Sequence, residues 1–161
     1  MKIYMYILII LFLLFPVRTA AQVIESLNPG VPGSLYLDIA TALLVGNVSI
    51  NYEAPLHNQM LLRIGFGVGY YLEWEAEDAT SSGLLAMMNV LTSGSSSRFE
   101  IGAGGSINRI YEDGNMEWKV LPAFDVGYRY QAYSGGFVFR VGLGYTFAFG
   151  YPFYISTGFT L

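Results

Sequence analysis

From Ser34 to Leu161 the chain is built of short runs in which every second residue is apolar or aromatic. The run from Phe137 to Phe147 shows this best. Phe137, Phe139, Val141, Leu143, Tyr145 and Phe147 fall on one side of it, and Val138, Arg140, Gly142, Gly144 and Thr146 on the other. Successive side chains of a β-strand point to opposite faces, so the run describes a strand with a broad aromatic face and a narrow, mostly glycine face. A soluble barrel would turn the aromatic face inward. Glycine with a single arginine suits a crowded interior, and a wide aromatic face suits lipid. The pattern therefore points to a transmembrane β-barrel.

The leading segment reads as an export signal. Lys2 supplies a positive start, Tyr4 to Phe15 is an almost unbroken apolar stretch, and Thr19-Ala20-Ala21 offers small residues for cleavage before Gln22. The apolar stretch is shorter than the roughly 20 residues a helix needs to span a bilayer. We expect a cleaved signal peptide over 1–21, a short periplasmic lead over 22–33, and one barrel domain over 34–161. Cysteine is absent, which excludes disulfides and a lipid-anchored N-terminus. Without Lys2 and Arg18, six basic residues face 12 acidic ones. No basic patch remains, and nucleic acid is excluded as a partner. Charged residues are 12% of the chain, about half the usual ~25%, while aromatic residues reach 16%. A soluble domain of this size needs a more charged surface than that.

The alternation predicts eight strands, at about 34–41, 45–54, 59–73, 83–91, 98–110, 117–131, 136–149 and 151–161. The fourth is the weakest, because Leu84-Leu85-Ala86-Met87-Met88 does not alternate and fits a helical turn as well. Most are near the roughly 9–11 residues of a tilted membrane strand. An even count puts both chain ends on one side of the membrane. The links expected on the far side include two longer ones, at 73–82 and 112–116. The first carries Glu73, Glu75, Glu77 and Asp78, expected as a solvated loop, with weak cation bridging to lipid headgroups as the alternative.

Strand parity turns seven charged residues toward the interior: Asp38, Glu53, Arg63, Glu100, Asp125, Arg129 and Arg140, with Lys119 near a rim. An eight-stranded barrel is only wide enough for side chains to fill. Four acids and three arginines there must pair, and arginine's planar fork can bond two carboxylates. The expected role is a structural plug, with a gate for water, protons or small ions as the alternative. Inward glycines such as Gly65, Gly67, Gly102, Gly104, Gly142 and Gly144 leave room for long side chains. Tyr70, Tyr71, Trp74, Trp118, Tyr145, Tyr151 and Tyr154 are candidates for an interfacial aromatic girdle. His57 is the single histidine. It falls in a turn with no serine partner by spacing, so neither catalysis nor metal binding is expected of it.

Several segments in matching order carry a family resemblance. Val48-Ser49-Ile50-Asn51-Tyr52-Glu53, Arg63-Ile64-Gly65-Phe66-Gly67, Phe99-Glu100-Ile101-Gly102-Ala103-Gly104, Val126-Gly127-Tyr128-Arg129-Tyr130-Gln131 and the closing Gly158-Phe159-Thr160-Leu161 are among them. Together they resemble small outer-membrane β-barrel proteins of Gram-negative bacteria, largely uncharacterised, and more distantly OmpA/OmpX-type barrels. The chain departs from that pattern in ending on Leu161 rather than an aromatic residue. The resemblance and the pattern together give an all-β, eight-stranded antiparallel up-and-down barrel in the outer membrane. Outer-membrane lipids are its expected partners, with periplasmic chaperones and the barrel-insertion machinery during biogenesis. No cofactor and no catalysis are expected, and the role is structural or one of surface interaction. The alternatives are a narrow pore or transporter of small solutes, and a soluble lipocalin-like periplasmic binding barrel.

Overall fold

A computed structural model of the chain describes residues 32–42, 45–57, 59–71, 79–92, 96–112, 114–132, 135–148 and 153–161. The expected signal peptide, most of the lead, and the acidic segment from Glu73 to Asp78 lie outside them. Eight strands follow in chain order: β1 (Ser34–Ala42), β2 (Val45–His57), β3 (Met60–Tyr71), β4 (Ala79–Leu91), β5 (Ser97–Glu112), β6 (Asn115–Gln131), β7 (Phe137–Tyr145) and β8 (Phe153–Thr160). Each pairs antiparallel with the next, and β1 closes the barrel on β8 with Ser34 across from Thr160 and Ala40 across from Tyr154. Closure leaves no sheet edge around the girth, so backbone donors and acceptors are met within the wall.

The two faces separate as alternation requires. Leu35, Leu37 and Ile39 of β1, Ile64, Phe66 and Val68 of β3, and Ile155 and Phe159 of β8 face outward and are exposed. Asp38, Glu53, Arg63, Glu100 and Arg140 face inward and are buried. The aromatic face is therefore the outer wall rather than a core, which is the reverse of a lipocalin-like arrangement. One irregularity interrupts β2, where the register shifts between Pro55 and His57. Proline cannot donate to the ladder, and a bulge accommodates it.

Three sequence expectations change. β4 begins at Ala79 and alternates throughout, with Leu84, Ala86, Met88 and Val90 outward and Leu85, Met87, Asn89 and Leu91 inward. Its apolar run fails to alternate in sequence because this part of the interior is itself apolar. The link expected at 112–116 is a two-residue hairpin turn, with Glu112 paired to Asn115. Asp-Gly suits such a turn, and Gly114 takes the required positive φ of 73°. The outward extension is thus strand rather than loop: β6 pairs with β7 only from Phe124 to Gln131, so its first part runs on past the end of β7, held by β5, which β4 in turn flanks as far as Tyr111. Finally, Phe147 does not continue the outward face of β7. The strand ends at Tyr145, and the next residues bend over the mouth of the barrel. Phe147 is buried with Leu85, Met87 and Ala123. A Cβ on Gly67 would lie 2.9 Å from its ring. The N–H of Ala148 donates to Asn108 Oδ1 at 3.0 Å, and its carbonyl accepts from Ser81 Oγ at 3.1 Å. This apolar cluster fills the interior at the end remote from the termini, and Leu61 packs on Leu91 at the other end.

The absence of cysteine makes the β4 register easy to check. A thiol reagent should modify Leu84→Cys in the folded, detergent-solubilised protein and leave Leu85→Cys unreacted until denaturation. Equal reactivity would mean a different register.

Candidate functional site

The interior between the two apolar clusters holds all seven charged residues marked by parity, and they form one continuous set of ion pairs. Arg63 of β3 pairs with Asp38 of β1 and, at 2.8 Å, with Asp125 of β6; its Nε donates to Asn51 Oδ1 at 2.9 Å. Arg129 of β6 pairs with Glu53 of β2 and lies 3.2 Å from Glu100 of β5. Arg140 of β7 is the hub. Its Nε donates to Glu100 Oε1 at 2.7 Å, and its terminal nitrogens reach Asp125 at 3.2 Å and Asp38 at 3.5 Å. One guanidinium thus meets carboxylates from three strands, which its planar fork allows and an ammonium would not.

Neutral groups complete the set. Tyr36 Oη donates to Glu53 Oε1 at 2.7 Å, and Ser34 Oγ to Glu53 Oε2 at 2.9 Å. Tyr154 Oη donates to Glu100 Oε1 at 2.9 Å. Asn51 Nδ2 donates to Asp38 at 3.2 Å, Ser156 Oγ also donates to Asp38, and Asn89 Nδ2 donates to Asp125 at 3.5 Å. The Arg140 guanidinium lies 4.6 Å from the centre of the Tyr36 ring and 5.2 Å from that of Tyr154, so two aromatic faces flank the hub cation. Every strand contributes at least one member. Carboxylates out of water are tolerated only when paired and hydrogen-bonded, and each of these four has both.

Glycine makes the clearance. A Cβ at Gly102 would fall 2.3 Å from Asp125 Oδ1, and one at Gly65 would fall 2.2 Å from Asn51 Oδ1. At Gly142 it would meet the Val126 carbonyl at 2.4 Å and Tyr154 Oη at 2.7 Å. Gly142 on the inner face of β7 leaves the room that Tyr154 of β8 takes.

Tyr154 is therefore not a girdle residue; it is buried and points inward. Parity carried the signal, since Tyr154 shares a face with Ser156 and lies opposite Ile155 and Phe153. The same parity places Tyr36 beside Asp38. Of the other girdle candidates, Tyr70 and Trp118 are exposed at the far end, and Tyr145 stacks on Phe124 with ring centres 6.5 Å apart. Trp74, Tyr151 and the Tyr71 side chain lie outside the described residues. Lys119 stands on the exposed hairpin, 3.2 Å from Glu117. Arg98 is a further inward, buried arginine that the sequence reading passed over. His57 is exposed at the end of β2, on the side of the barrel where the termini lie.

Removing the hub should show what the set contributes. Arg140→Met leaves Glu100 and Asp125 short of a partner and should lower unfolding stability by about 3–5 kcal/mol. Arg140→Lys should recover only part, because a point charge cannot bridge three carboxylates. Tyr154→Phe, which removes one hydrogen bond to a carboxylate, should cost about 1.5–3 kcal/mol. Urea unfolding of the detergent-folded barrel measures all three, and an unchanged midpoint for Arg140→Met would contradict the reading.

No known family model matches the sequence, and no curated protein matches it. Among solved structures, the chain is similar to the N-terminal β-barrel domain of Pseudomonas aeruginosa OprF, with a TM-score of 0.57 at 14% identity. The match covers 82% of this chain and 98% of that one. The likeness is one of fold, that of a closed eight-stranded antiparallel β-barrel.

Proposed function

We propose that the chain is an integral outer-membrane barrel with a closed interior, acting in a structural or surface-interaction role rather than as a catalyst. The observation that carries this reading is the inverted polarity of the barrel. Its outer wall is apolar on all eight strands, with Phe66 49% and Ile101 64% exposed, while carboxylates and guanidiniums are buried inside. Water would disfavour that wall, and hydrocarbon would not. Dimensions agree. The 12 residues of β3 span about 40 Å, which a strand tilt of about 40° turns into about 30 Å of height, enough for an apolar band of about 25 Å. In this reading both termini face the periplasm and the β5–β6 hairpin projects outside. The barrel's partners are outer-membrane lipids, with the periplasmic chaperones and insertion machinery acting before it folds.

The closed interior rests on its filling. Ion pairs occupy the middle, Leu61 and Leu91 one end, and Phe147 with Leu85 and Met87 the other. A narrow pore would need these side chains to move apart.

Two measurements test the proposal. The protein should fractionate with outer membranes, need detergent for extraction, and migrate faster unboiled than boiled on a denaturing gel. Reconstituted in planar bilayers, it should show no stable channel steps. Recovery in the soluble periplasmic fraction would overturn the membrane reading, and reproducible conductance would replace the closed interior with a pore.

A further inference from the structure

One cation interrupts the apolar outer wall. Among the described residues, the outward positions of the eight strands hold apolar, aromatic, hydroxyl, glycine or proline residues, and Arg109 is the single outward charge. It is exposed near the end of β5, on the side of the barrel remote from the termini. A guanidinium is costly at the bilayer centre and tolerated at the interface, where it meets headgroups.

The surroundings of Arg109 form a recess. Its Nε donates to Met116 Sδ at 2.9 Å. It borders a cleft of about 430 Å³ lined also by Val68, Thr80, Ser82, Tyr111 and Met116. The register sets Ser82 directly across from Arg109 on β4 and Trp118 directly across on β6, and pairs Thr80 with Tyr111. Three hydroxyl groups thus line a cleft that also holds a planar cation, and apolar side chains share the walls. A guanidinium with hydroxyl donors recognises phosphate oxygens. Apolar walls and a neighbouring tryptophan suit the glycerol or sugar root of a lipid at the interface.

We propose that this cleft binds the phosphate headgroup of a lipid in the leaflet at the far end of the barrel. Arg109 is the principal phosphate ligand, and Thr80 and Ser82 add hydroxyl donors. The inference rests on the membrane reading above and adds a defined lipid site to it. A lipid, rather than a free phosphate ion, is favoured because Val68 and Met116 would gain nothing from an ion.

The test uses the full mature chain folded in detergent. Native mass spectrometry follows the titration of lipid A, of lipid A with its phosphates removed, and of inorganic phosphate. Lipid A should be retained one to one, the dephosphorylated form and free phosphate should not, and Arg109→Gln should weaken retention about tenfold. Arg109→Lys, which keeps the charge without the fork, should fall between. The side chain is outside the packed interior, so unboiled gel mobility should match for all three proteins and certify the fold. Equal retention of lipid A by Arg109→Gln and the parent, or equal retention of the dephosphorylated lipid, would overturn the site. Such a failure in a protein that still fractionates with the membrane sinks this inference alone, whereas a soluble protein sinks the membrane reading beneath it.

Discussion

An eight-stranded barrel leaves an interior no wider than the side chains that fill it, and here the filling is ionic. Four carboxylates and three guanidiniums occupy the middle of the lumen with almost no contact with water. That arrangement holds only if each charge finds partners, and the partners come from different strands. Arg140 reaches acids on β1, β5 and β6; Arg63 reaches β1 and β6; Arg129 reaches β2 and β5. A buried ion pair is weak evidence for net stability, since well-packed apolar groups often do as well. Removing one partner is costly all the same. The set therefore acts on register. Slipping one strand by two residues would keep its faces and break its pairs, so the charges discriminate between registers that alternation alone leaves equivalent.

Other features follow from that filling. Tyr36 and Tyr154 flank Arg140 and donate to Glu53 and Glu100, so they serve the ions on both sides. Gly65, Gly102 and Gly142 stand where a methyl group would strike Asn51, Asp125 or Tyr154. The apolar cluster around Phe147 covers the ions at the far end and keeps the local dielectric low, which strengthens each pair. The outer wall has a different requirement. It has only to be apolar and continuous, which explains its free mixture of Leu, Ile, Val, Phe and Tyr, and why one arginine in it stands out.

Much of this was legible because a strand's period of two is unambiguous when its faces differ. Parity alone assigns Asp38, Glu53, Arg63, Glu100, Asp125, Arg129 and Arg140 to one face, and that face lines the lumen. The reading fails where the faces stop differing. Leu84 to Met88 looks uniform because Leu85 and Met87 belong to an apolar part of the interior. Phe147 has the right parity for the wall, but β7 ends two residues earlier and a bend reverses the direction of its side chain. Tyr154 is aromatic and lies near a strand end, which suits a girdle, but its parity with Ser156 turns it inward. The partners within the ion set were not legible at all. They depend on barrel stagger, which brings Arg63 and Asp125 together from positions 62 residues apart.

The central claim is that the aromatic face meets hydrocarbon while the charged face is sealed from it. Brominated acyl chains quench tryptophan fluorescence on contact, and this chain has only Trp74 and Trp118 to replace by phenylalanine. In that background, Phe66→Trp places one fluorophore at the middle of the outer wall, and Phe147→Trp places one inside the barrel. After reconstitution in brominated-lipid vesicles, strong quenching of the first and little of the second is the predicted result. Equal quenching, or stronger quenching of the interior position, would contradict the account.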